Sequence, residues 1–224
     1  MEAFRLALRL GATGIESDVW STADGVLVLD HDGVVRRGLR RRPVHEVMRR
    51  ELPDHIPDAA ELFDLCARAP GGPIPVSLDL KGPGTGAALV DLLRADFPGM
   101  LASVWCCHPD LEELTALRSR HADVPLVNSI RLDRLTEGPE RRAAVLANAG
   151  ITGINFHHTD LNGGLVALFH RFGRTVFAWD LQFEPALRSV LRMGVDAVYS
   201  DWVDRMTDAY RAELGSPRPP TATA

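Results

Sequence analysis

The sequence lacks a disulfide framework, a membrane span, a targeting segment and an excess of positive charge. Its three cysteines, Cys66, Cys106 and Cys107, are odd in number and irregular in spacing, which excludes a disulfide-stapled mini-protein. Cys106-Cys107 followed by His108 lacks the spacer that separates cysteines at zinc sites, so these two are expected to be buried strand residues. No apolar run approaches the roughly 20 residues of a membrane-spanning helix. The chain opens directly on MEAFRLALRLG, an amphipathic helix and not a signal peptide, and a cytoplasmic location is expected. Lys and Arg number 25 against 30 Asp and Glu, a net charge of -5, which does not suit a protein that coats nucleic acid. Low-complexity sequence is confined to the tail SPRPPTATA from Ser216.

What is present suits one globular domain. The 224 residues are 46% hydrophobic and 25% charged, enough to bury a core and unlike a disordered or collagen-like polymer. Apolar strand-like runs alternate with amphipathic stretches along the chain. The strands expected are GIESDVW (14–20), PVSLDLK (75–81), SVWCCH (103–108), PLVNSI (125–130), GINFHH (153–158), TVFAWDL (175–181) and DAVYSDW (196–202). VLVLDHD (26–32) follows the first across a short turn at Ala23-Asp24-Gly25, too short for a crossover helix. The segment 34–53 is Arg-rich and expected to be irregular. Asp58 with Glu61, and Asp110 with Glu113, read as helix caps. Such alternation implies a parallel sheet covered by helices, and seven units point to a (β/α)8 barrel. A closed barrel has eight strands, and the helix at Glu2 has no N-cap before it. The expectation is therefore a TIM-barrel domain over residues 1–214 lacking its first strand, then a disordered tail over 215–224.

In such barrels chemistry sits at the carboxyl ends of the strands. Glu16 and Asp18 are two apart on one strand and share a face. Two carboxylates there repel each other unless a cation or basic partner offsets them. Read from the pattern alone, a metal site and a pair of solvent-facing acids both fit. Asp79 and Lys81 repeat the spacing on another strand, as metal shell and anion holder or as a structural ion pair. His31, in Leu-Asp-His-Asp, is a candidate acid or base. The run 36–42 holds five arginines, a solvated loop or an attractor of phosphate and anionic lipid. His157-His158 end another strand and receive no role.

Glu16-Ser17-Asp18, the Thr22–Gly25 turn and His31-Asp32 resemble the E-x-D…D-G…H-D core of the glycerophosphodiester phosphodiesterases. The likeness continues through EAFRLALRLGATGIESDV, Ile56-Pro57-Asp58 with Glu61-Leu62, Asp79-Leu80-Lys81, Phe177-Ala178-Trp179, and Gly194-Val195-Asp196 with Ser200-Asp201. The resemblance implies metal-dependent hydrolysis of a small glycerophosphodiester to glycerol 3-phosphate and an alcohol. It further implies that Glu16, Asp18 and Asp79 bind one divalent cation, Mg²⁺ or Ca²⁺. Lys81 would hold a phosphate oxygen, His31 would serve as general acid, and Trp179 would wall the glycerol side.

The chain also departs from the family pattern. The family's opening His-Arg-Gly and Pro-Glu-Asn-Thr have no match here, and that His is the second acid/base. Losing such a partner costs about 10²–10⁴-fold in rate. Met1 stands where the family has an apolar residue, so the natural sequence is expected to continue upstream. Without the opening strand, GIESDVW and DAVYSDW are expected to be unpaired edges. Asp79 replaces a Glu, and Asp180 and Gln182 replace Thr and Asn. Two other readings follow: a catalytically impaired barrel that binds phosphoesters or partners, and a barrel acting on another diester, as a phospholipase-D-like toxin or on a phosphoinositide.

Overall fold

A computed structural model describes residues 1–37, 40–69 and 71–215 of the chain. The expected tail therefore lies almost wholly outside the described residues, as do two positions of the arginine run. The chain opens with α1 (Glu2–Arg9), whose Phe4, Ala7 and Leu8 form a half-buried face. The fold divides into two compact units, one of Met1–Leu6 with Thr13–Leu126 and one of Ala7–Ala12 with the described residues from Val127.

The first unit is built on β1 (Ile15–Ser21), β2 (Leu27–Leu29), β5 (Val76–Lys81) and β6 (Val104–His108). Between β2 and β5 lie β3 (Val34–Arg37), β4 (Arg40–Pro43) and α2 (Ala59–Ala67). The β1–β5 and β5–β6 pairs are parallel, each joined through helices, including α3 (Thr85–Asp96) before β6. β2 folds back antiparallel on β1, pairing Val19–Ser21 with Leu27–Leu29. The Thr22 hydroxyl clasps that turn, accepting from Val26 N at 2.9 Å and donating to Asp24 at 2.7 Å. β1 is therefore not the bare edge that was expected, because its carboxyl half has partners on both sides. Ile15 and Val19 are buried while Glu16, Asp18 and Trp20 take the opposite face, the alternation of a strand with one face on the core.

The arginine-rich segment is also more ordered than expected. β3 and β4 pair antiparallel, with Arg36 opposite Arg41. Val44, Val47, Leu52 and Ile56 gather with Val28 into a small core beneath, which anchors the hairpin despite its like charges. Asp58 precedes α2 as expected, yet its carboxylate does not cap the helix. Arg49 takes it in an ion pair instead. Asp110 does cap α4 (Leu111–Arg120), accepting from Glu112 N at 2.8 Å.

The second unit carries β7 (Leu126–Ser129), β8 (Gly153–His157), β9 (Thr175–Trp179) and β10 (Ala197–Val198), in that spatial order. The β7–β8, β8–β9 and β9–β10 pairs are parallel, and the helices between them are α5 (Pro139–Asn148), α6 (Gly163–Arg171) and α7 (Glu184–Arg192). Pro185 sits in the first turn of α7, where its missing N–H costs nothing. The final strand is two residues long, shorter than DAVYSDW predicted. Ser200 folds back on Trp202 N, and α8 (Val203–Leu214) begins there, a helix the sequence reading did not anticipate.

Candidate active site

Register builds the site of the first unit. In the parallel β1–β5 pair Asp18 stands opposite Asp79, Glu16 opposite Ser77 and Trp20 opposite Lys81. The two spacing-of-two pairs found in the sequence therefore lie side by side on one sheet face. The Lys81 ammonium sits between the acids, 3.0 Å from Asp18 Oδ1 and 3.3 Å from Asp79 Oδ2. Burial pushes the Asp79 carboxyl above its ordinary range and the negative Asp18 adds to that, against the pull of Lys81. Burial likewise disfavours the Lys81 charge, but Asp79 and Asp18 outweigh it and hold the ammonium above the usual lysine range. Glu16 lies two residues back on the same strand face and is exposed.

His31 is carried on a loop tied directly to this pair. Asp30 N donates to the Asp18 carbonyl at 3.2 Å, and Asp30 Oδ2 accepts from Gly33 N at 2.7 Å. Trp20 holds the same loop from β1: its indole N–H donates to the Asp30 carbonyl at 2.8 Å, and its ring lies against Gly33 and Gly82. The His31 side chain is 91% exposed, with Nδ1 3.1 Å from Asp32 Oδ1. That hydrogen bond, aided by the charge of Asp18, raises the imidazole pKa above its ordinary value.

Two contributors were missed in the sequence. Trp20 organises both loops, and the only sequence signal was a glycine shortly after each of His31 and Lys81. His108, at the end of β6, acts on Asp79 by charge. Cys106 and Cys107 are buried residues of β6, as expected; burial pushes the Cys106 thiol up to about 12, so neither offers a ready thiolate.

In the second unit Trp179 ends β9, opposite His157 at the end of β8. Their rings meet edge to face, 4.5 Å between centroids. The Trp179 indole nitrogen is buried without a hydrogen-bond partner among the described residues. His157 Nε2 lies 3.0 Å from Asp180 Oδ2, and His158 stacks on His157 at 4.6 Å. The bond from His157 holds the Asp180 carboxyl below its usual range. Gln182 Nε2 donates to Asp180 at 3.3 Å and to Asp201 at 2.9 Å. The unassigned pair His157-His158 and the atypical Asp180 thus form one cluster.

Residues 1–61 match the model of the glycerophosphoryl diester phosphodiesterase family. No curated protein matches the chain. Among solved structures, a Silicibacter pomeroyi protein assigned as a glycerophosphoryl diester phosphodiesterase is 24% identical. It superposes with a TM-score of 0.82 over 96% of this chain and 89% of its own. An Oleispira antarctica phosphodiesterase, solved with the product sn-glycerol-3-phosphate, is 20% identical with a TM-score of 0.77, over 92% of this chain and 89% of its own. A glycerophosphodiester phosphodiesterase of Thermotoga maritima is 20% identical with a TM-score of 0.72, over 91% and 88%. The fold class is α/β of the TIM-barrel type. Residues 1–61 are thus similar in sequence to the glycerophosphoryl diester phosphodiesterase family, and the fold over nearly the whole chain is that of solved structures bearing this name.

Proposed function

We propose that this protein hydrolyses glycerophosphodiesters to glycerol 3-phosphate and an alcohol, with the help of one divalent cation. The observation that carries the reading is the Asp18–Lys81–Asp79 group on one face of paired parallel strands, with Lys81 at a carboxyl end, and the His31 loop bonded to Asp18. The donors fit a hard cation: Glu16, Asp18 and Asp79 offer only carboxylate oxygens, as Mg²⁺ and Ca²⁺ prefer. Three acids against one lysine leave a surplus of negative charge for such an ion to offset. When bound, the cation would polarise the phosphoryl oxygens and offset charge in the transition state.

The remaining steps belong to the chain. Lys81, released from its two carboxylates, turns its ammonium to a phosphate oxygen. His31, whose protonated form Asp32 and Asp18 favour, gives its proton to the departing alcohol oxygen. From the resemblance, Trp179 is assigned to the glycerol side of the substrate. No helix among the described residues is long and apolar enough to cross a membrane, and we place the activity in the cytoplasm.

The test is release of glycerol 3-phosphate from glycerophosphocholine with Mg²⁺ or Ca²⁺. Glu16→Gln abolishes it if the metal assignment holds, and retained activity refutes that assignment. A second reading rests on Lys81, whose ammonium already satisfies both acids: a barrel that binds phosphoesters but turns them over poorly. The family's His-Arg-Gly has no match in these residues, so the assay is run beside a chain extended upstream in frame. Turnover by the extended chain alone supports hydrolysis, whereas binding without turnover by either supports the second reading.

A further inference from the structure

We infer that His157, His158 and Asp180 form a binding site for a transition-metal ion of the zinc class, made of residues other than the carboxylate group on β1 and β5. The three sit at the carboxyl ends of two adjacent parallel strands, where β8 pairs with β9 through His157 and Trp179. One ligand atom from each lies within 4.8 Å of the others. Bonds of about 2.0–2.1 Å in tetrahedral geometry put ligand atoms about 3.3 Å apart. The His157–Asp180 edge, at 3.0 Å, is already close to that. The third ligand arrives by a shift of up to about 1.5 Å, within the reach of a ring rotation about His158.

The surroundings match those of a metal ligand set. His157 Nδ1 is 2.7 Å from Thr159 Oγ1 and accepts from Thr159 N at 3.3 Å, which leaves the ring proton on Nε2, facing Asp180. An ion at Nε2 takes the place of that proton. Nδ1 then carries the proton and donates it to the Thr159 hydroxyl, which accepts as readily as it donates, at the cost of the 3.3 Å bond from Thr159 N. A second hydrogen bond at the far ring nitrogen orients ligating histidines in general. Asp180 has the matching support: its second oxygen accepts from Gln182 at 3.3 Å. Its backbone is also held at φ 62°, the one positive φ among the described non-glycine residues. That left-handed conformation is disfavoured for residues with a side chain, and here it accompanies the contact of the carboxylate with His157.

Donor chemistry selects the ion. Two imidazoles and one carboxylate suit zinc, cobalt or nickel, while magnesium and calcium prefer oxygen alone. Three protein ligands leave a fourth position open to water or a substrate oxygen. The inference does not rest on the proposed hydrolysis.

The experiment uses the full chain, stripped with a chelator and titrated with Zn²⁺ and with Co²⁺ in excess Mg²⁺. Bound metal is measured after dialysis and the visible absorption of Co²⁺ is recorded. The expected result is one equivalent retained by the wild type and by Glu16→Gln, with the strong absorption of low-coordinate cobalt. His158→Ala and Asp180→Asn, each checked for folding by circular dichroism, lose at least tenfold in affinity. Thr159→Val loses about tenfold through its effect on the ring. Asp180→Gly relieves the backbone strain, so it loses metal without losing stability. Failure to retain Zn²⁺, or retention unchanged in both His158→Ala and Asp180→Asn, overturns the inference. So does binding abolished by Glu16→Gln alone.

Discussion

Trp20 lies so close to Gly33 that a β-carbon built on the glycine would fall 2.1 Å from the indole ring, at a backbone φ of +62°. Contact and conformation both demand glycine there. Gly33→Ala is expected to cost about 1–3 kcal/mol through overpacking and left-handed strain. Because the same loop carries His31, turnover should fall by more than stability alone explains. Thermal melts beside kcat measured well below the melting point separate the two effects.

Lys81 joins two acids that would otherwise face each other across a strand pair. Lys81→Met should destabilise the metal-free chain by about 1–2 kcal/mol, less than for a fully buried pair because the lysine is only half-buried. Divalent cation should restore more stability to this variant than to the wild type. Equal stabilisation of both by Mg²⁺ or Ca²⁺ would count against a cation at Asp18 and Asp79.

The pKa of His31 is raised by its bond to Asp32 and by Asp18. A raised pKa keeps the acid form present to higher pH than an ordinary histidine would allow, so activity should persist further up the pH scale before it falls on the alkaline side. Asp32→Asn should move that alkaline limb to lower pH. His31 is too exposed for the shift to register in stability, so the readout is the pH profile of kcat/KM.

Glu213 of α8 receives Arg188 Nε at 2.5 Å and Arg192 Nε at 2.6 Å from α7. Those arginines, Arg192 first, hold its carboxyl below the ordinary range, against a smaller effect of burial. A depressed acid stabilises the fold above its unfolded pKa, and that contribution fades as pH falls through the folded value. Glu213→Gln should therefore lower the melting temperature at neutral pH, with the gap closing in acid. A gap independent of pH would show that packing, not charge, joins these helices.

Trp179 buries an indole N–H that has no partner among the described residues. Such an orphan costs about 1–3 kcal/mol. Trp179→Phe keeps a ring against His157 and removes the orphan, so stability should stay level or rise by up to about 1 kcal/mol. Trp179→Ala should lose about 2 kcal/mol of packing. If the indole faces the glycerol moiety, KM rises in both variants.

The legible parts of this protein were those written locally. Alternation placed β1 and β5, and the spacing of two put Glu16 with Asp18 and Asp79 with Lys81 on common faces. Which face met which depended on register, and only the paired strands set Lys81 between acids from both. The hairpin of β3 and β4 was hidden because its arginines mask the few valines that fix it to Val28. Asp58 has the right position for a cap, but a distant Arg49 outcompetes the helix N-terminus for its carboxylate. Asp180 looked like a mere departure from a pattern until β8–β9 pairing set it against His157, twenty-three residues away.

The lysine bridge on β1 and β5 also bears on how the protein is made. A cluster of bare acids would make folding wait for its ion, as in domains that are unfolded until loaded. Here the chain brings its own counter-ion, so under the proposed function synthesis and metal loading would be separate events. Starved of divalent cation, the protein would remain folded but idle, and a rise in the free ion would start turnover by displacing an internal ammonium, with no refolding required.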